Sequence, residues 1–86
     1  MPTISRFYGI LIQMYFGDHL PPHFHALYAE FEALLDIRTL EVIRGELPGR
    51  AMALTLEWAQ QHRDELRKDW DLCAQNQAPM RIPPLS

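Results

Sequence analysis

The sequence predicts an α+β fold: an antiparallel sheet of about four strands with one long C-terminal helix packed on one face. Three observations carry that prediction. Apolar residues alternate with a period of two through the first half of the chain. From Arg50 to Gln75 there is neither proline nor glycine, and apolar residues recur at spacings of three and four. The connections between the strand-like runs are only a few residues long, which suits hairpins and a meander rather than crossovers.

The chain has 86 residues, enough for one small domain. It divides into a β-meander over 1–47, a helix over 48–76 and an extended tail over 77–86. Ile10, Ile12, Met14 and Phe16 alternate with Leu11, Gln13, Tyr15 and Gly17 and read as the first strand. Gly17 to Pro22 is a turn-rich linker in which two prolines forbid helix. His23 to Tyr28 is the next strand, and Phe31 to Ile37 follows with Phe31, Ala33, Leu35 and Ile37 on one face. A last strand runs from about Leu40 to Arg44. The turns at Ala29-Glu30 and Arg38-Thr39 lack glycine.

Pro48 stands at the first turn of the helix, where a missing N–H costs nothing. On a helical wheel Ala51, Leu54, Trp58, His62, Leu66, Trp70 and Cys73 fall on one side, opposite Gln60, Asp64, Arg67, Lys68 and Asp71. A helix of about 26 residues is roughly 39 Å long, whereas a six-residue strand spans about 20 Å. A single small sheet cannot cover such a stripe. The far end near Trp70 and Cys73 therefore calls for the tail, with Met80, Ile82 and Leu85 among its prolines, or for a second subunit. Homo-oligomerisation through helix and tail is an expectation of this reading.

Composition narrows the function classes. Hydrophobic residues make up 48% and charged residues 22%, which suits a folded globular chain and argues against disorder. The net charge is −3, and residues 1–43 hold two cationic against five anionic groups. Binding along a phosphate backbone draws on clustered Lys and Arg, so charge does not support RNA or DNA as a partner. Cys73 is the single cysteine and cannot form an internal disulfide. No stretch is apolar for the ~20 residues that span a bilayer, and the N-terminus lacks a signal-peptide pattern. A reducing cytoplasm is the expected location.

Asp18-His19-Leu20-Pro21-Pro22-His23-Phe24-His25 places three of the four histidines within seven residues. On a strand, His23 and His25 project to one face while Phe24, Ala26 and Tyr28 project to the other. Two neighbouring imidazoles, with His19 and Asp18 on the preceding loop, allow two chemistries. His23 and His25, with His19 or a carboxylate as third ligand, supply a donor set that zinc and similar divalent ions prefer, with a position left for water. Alternatively, one imidazole takes a proton while another donates one, with Arg6 or Arg44 neutralising a phosphate. The bland alternative is that these histidines bond backbone carbonyls and carboxylates and only hold the Pro-Pro corner together. His62 reads as a core histidine, unless the helix packs on the face of His23 and His25, in which case all three converge. Trp58 and Trp70 read as core, Glu57 as solvated and Cys73 as a small hydrophobe.

The opening Met1 to Phe7, Asp18-His19 with Pro21-Pro22-His23-Phe24-His25, Gly45-Glu46-Leu47-Pro48, Glu57-Trp58-Ala59 and the Ile82-Pro83-Pro84-Leu85 ending resemble the small bacterial family called domain of unknown function 4160. Ala29 and Leu40 stand where that family's pattern has glycine. The resemblance implies the toxin half of a type II toxin–antitoxin pair, encoded beside a small antitoxin-like partner of another uncharacterised family, numbered 2442. It singles out Asp18, His19, His23 and His25 without giving them roles. The expected function is a toxin-like module with a His-dependent or metal-assisted phosphodiester hydrolase activity carried by His23, His25, His19, Asp18 and Arg6. The alternative is a protein-interaction module whose histidines are structural.

Overall fold

The computed structural model describes residues 2–86. Five strands, β1 (Thr3–Phe7), β2 (Ile10–Gln13), β3 (His23–Tyr28), β4 (Phe31–Asp36) and β5 (Val42–Gly45), form one antiparallel sheet in the order β1-β2-β3-β4-β5. Two helices follow, α1 (Gly49–Gln61) and α2 (Arg63–Ala74). The α+β class is as expected; the expectations of four strands and one helix are corrected.

The additional strand is β1. Tyr8 and Gly9 join it to β2 with positive φ values of 50° and 79°, the backbone of a two-residue type I′ hairpin. A tyrosine in the left-handed region is an uncommon turn residue, so nothing but Gly9 marks the turn in the sequence.

The helix breaks at His62, whose φ of −124° and ψ of 27° lie outside the helical region. His62 N–H donates to Ala59 O, and the α pattern resumes with Leu66 N–H donating to His62 O. Glu65 accepts a hydrogen bond from the His62 ring, and Asp64 and Glu65 place negative charge at the positive end of α2. The domain measures 33 × 26 × 22 Å, too short for an unbroken helix of roughly 39 Å. Breaking it lets α2 fold around the end of the sheet.

Alternation divides the sheet into two faces. Ile10, Ile12, Phe24, Ala26, Ala33 and Leu35 are fully buried on the helix side. There Trp58 packs on Phe7 and Phe24, with ring centroids 5.3 and 6.1 Å apart. The tail closes the β1 edge: Ile82 N–H donates to Ile4 O, Trp58 Nε1–H donates to Pro83 O, and Ile82 and Leu85 are buried. Met80 N–H donates to Asp69 Oδ1, while Asp69 Oδ2 is buried without a partner. Burial pushes the Asp69 carboxyl above its ordinary pKa, with Glu65 adding and the Met80 and Lys68 contacts opposing. The tail thus supplies cover that the helix required.

Ala29 and Leu40 have φ values of +52° and +62°. Left-handed backbone costs a side-chain-bearing residue roughly 1–2 kcal/mol. Part of that returns as lower chain entropy when glycine is absent. Exposed Ala29 isolates the effect, whereas Leu40 also contributes to the core. Ala29→Gly is expected to stabilise the fold by about 0.5–1 kcal/mol in urea unfolding, and a loss of stability would contradict this account of the turn.

Candidate metal centre

His23 and His25 stand on β3 and point away from the helix-side core, on the face opposite Phe24 and Ala26. Their ring centroids are 5.2 Å apart. The loop before β3 brings Asp18 over both rings. Gly17 N–H donates to Cys73 O at the end of α2, and Ile37 N–H donates to Pro22 O, so the loop is tied at both ends. Asp18 Oδ2 lies 3.0 Å from His23 Nε2 and 3.1 Å from His25 Nε2. The other carboxylate oxygen, Oδ1, accepts the His19 backbone N–H.

The outer ring nitrogens are equally constrained. His23 Nδ1 lies 2.8 Å from Pro21 O, and His25 Nδ1 lies 3.0 Å from Glu32 Oε2. A carbonyl oxygen and a carboxylate only accept, so both Nδ1 atoms carry protons. In a neutral imidazole each Nε2 then presents a lone pair to Asp18 Oδ2, which is also an acceptor. That arrangement is unfavourable without positive charge between the groups. Either two further protons or one cation resolves it.

The donor set fits a cation. One ligand atom each from Asp18, His23 and His25 lie within 4.8 Å of one another. A metal-bound imidazole commonly donates its other N–H to a carbonyl or carboxylate, which fixes tautomer and ring plane. Pro21 O and Glu32 do this here. Burial raises the Asp18 pKa, but while no ion takes the two Nε2 atoms, hydrogen bonds from the His25 ring, the His19 N–H and the His23 ring outweigh it and hold the carboxyl below its ordinary value. An ionised carboxylate is the form that binds metal.

The rings are more enclosed than an open catalytic pocket requires: His23 is 5% exposed and His25 6%. Tyr15 stacks on His25 with centroids 4.1 Å apart, and Trp70 approaches His23 to 5.3 Å. The cover is polar and aromatic, and a hollow lined by Asp18, His19, His23 and Arg44 reaches the cluster from outside.

The candidate residues therefore separate. Asp18, His23 and His25 come together, with the carboxylate of Asp18 rather than His19 as the third member. The His19 side chain is exposed and lines the hollow. Arg6 lies on β1, two strands from β3, so Arg44 is the cation near the cluster. His62 remains beside Trp58, because α1 packs on the face opposite His23 and His25. Glu32, Tyr15 and Trp70 are neighbours that sequence reasoning missed. Strand periodicity offers a signal for Tyr15, which follows Gln13 by two residues, and Gln13 pairs with His25. Glu32 needs the β3–β4 register, in which it pairs with Leu27, two residues beyond His25.

Fold and cluster together define a small α+β meander protein with a carboxylate–bis-imidazole cluster on the sheet face opposite α1, where Trp70 of α2 covers His23. The chain belongs to the family described as Domain of unknown function (DUF4160), whose model matches residues 9–71. No curated protein and no solved structure matches it. No helix among the described residues is long and apolar enough to cross a membrane.

Proposed function

We propose that Asp18, His23 and His25 bind a divalent ion such as zinc and that the protein uses this centre in hydrolysis of a phosphodiester. The observation that supports this reading most is that both Nδ1 atoms are committed to acceptors while both Nε2 atoms face one carboxylate oxygen. A bound ion would supply Lewis acidity, polarising a phosphoryl oxygen and acidifying water. The chain's own groups do the rest. Asp18 and the two imidazoles hold the ion, Pro21 O and Glu32 orient the rings, and Arg44 offers charge to a phosphate in the hollow. The toxin-like role and the small antitoxin-like partner rest on the family resemblance.

A model phosphodiester, bis(p-nitrophenyl) phosphate, tests the activity. Hydrolysis is expected with zinc- or manganese-loaded protein, and at background level after chelation or in His25→Ala that keeps its far-UV circular dichroism. A rate insensitive to both changes would refute the reading.

The enclosure of the rings favours a second reading, a non-enzymatic interaction module. Two imidazolium rings, Asp18 and Glu32 would form a charge-neutral cross-link in which every ring N–H has an acceptor. In that case the protein takes up no zinc, and histidine substitutions lower stability alone.

A further inference from the structure

We infer that the substrate entering beside the cluster is a small anion bearing a short apolar chain rather than a polynucleotide; this rests on the metal-centre reading and names its substrate class. The hollow has a volume of about 180 Å³ and includes Asp18 and His23 in its wall. At about 30 Å³ per water, that is room for roughly six waters. Pockets for drug-sized ligands run to about 300–1,000 Å³.

The remaining wall divides by chemistry. Leu20, Pro21, Leu34 and Ile43 form an apolar side. Leu20 is 77% exposed and Ile43 45%, so this side presents apolar area that the fold itself leaves in water. Arg44 follows Ile43 on β5 and enters no ion pair among the described residues. A free guanidinium is suited to bidentate contact with a phosphoryl or carboxylate head. A head group between Arg44 and the Asp18–His23 side, with its chain across Leu20 and Ile43, covers both surfaces at once. A polynucleotide lacks such a match: one arginine on a chain of net charge −3 gives little hold on successive phosphates.

Alkylphosphonates from methyl to heptyl test this, titrated into zinc-loaded protein and read by tryptophan fluorescence, with zinc uptake measured in parallel by dialysis. Affinity is expected to rise about fourfold per methylene through pentyl and then level off. Leu20→Ser and Ile43→Ser should flatten that dependence. Arg44→Gln should weaken every member about tenfold or more. If zinc binds but affinity ignores chain length, or the dinucleotide UpA binds more tightly than pentylphosphonate, the substrate class is wrong and the metal centre stands. If zinc does not bind, the metal centre fails. The same series on the metal-free protein, where Arg44 alone holds the head group, then decides the pocket: no gain with chain length overturns it.

Discussion

Zinc affinity is expected to fall more than about 100-fold when Asp18 is replaced by alanine. The expectation follows from comparison with Glu32, which touches the centre only through His25 Nδ1. Losing such an outer hydrogen-bond partner typically costs about 10–100-fold in metal affinity. Asp18 is the single carboxylate facing both Nε2 atoms, so its loss removes a ligand and leaves only two imidazoles. Asp18→Ala should therefore exceed Glu32→Gln in a competition titration against a chromophoric chelator. Affinity in the unmodified protein should weaken on acidification, because protons compete for the same ring nitrogens. A Glu32→Gln effect as large as that of Asp18→Ala would contradict this assignment.

Gly45→Ala is expected to destabilise the fold by about 2–5 kcal/mol, a large share of what a domain this small has in hand. Two causes add. The φ of Gly45 is +79°, a conformation that penalises any Cβ by roughly 1–2 kcal/mol. A methyl group there would also overlap the Glu32 carbonyl oxygen and lie 3.2 Å from Ala33 Cα, so backbone rather than a flexible side chain has to yield. Forced overpacking of this kind costs about 1–3 kcal/mol. The same Glu32 carbonyl accepts the Glu46 N–H, and the Glu32 side chain bonds His25, so the damage should spread from the β4–β5 edge to the Asp18–His23–His25 cluster. Urea unfolding and zinc titration of one variant check both effects. A change below about 0.5 kcal/mol would mean that β5 adjusts freely and that this close approach constrains nothing.

How much of this was legible in the chain follows from the range of each interaction. Strand alternation is local geometry, so the opposite placement of His23 and His25 against Phe24 and Ala26 could be read directly. The β1 hairpin was hidden because Tyr8 adopts a left-handed backbone that its chemistry does not advertise. The helix break was hidden for a different reason. His62 continues the apolar stripe, no proline or glycine lies between Arg50 and Gln75, and the limit on helix length comes from the folded domain. Asp64 and Glu65 did offer a signal, since an acidic pair suits the first turn of a new helix. At the site, Asp18 was a candidate because it adjoins the histidines in sequence. Glu32 acts on His25 through the pairing of two strands, and Trp70 reaches His23 from the helical half, 47 positions further along. Such contacts are properties of register and packing. The tail shows the converse: the length of the helix called for a cover, from the tail or a second subunit, while the tail's bonds to Ile4, Trp58 and Asp69 became visible only in the fold.

X-ray absorption at the zinc edge, on protein produced without a histidine tag and dialysed against excess zinc, tests the metal centre most directly. One ion per chain is predicted, with two imidazole nitrogens at about 2.0–2.1 Å and carboxylate or water oxygen at about 2.0–2.2 Å completing a four-coordinate shell. Protein that retains no zinc, or zinc held in a shell without imidazole, would contradict the assignment of Asp18, His23 and His25 as its ligands.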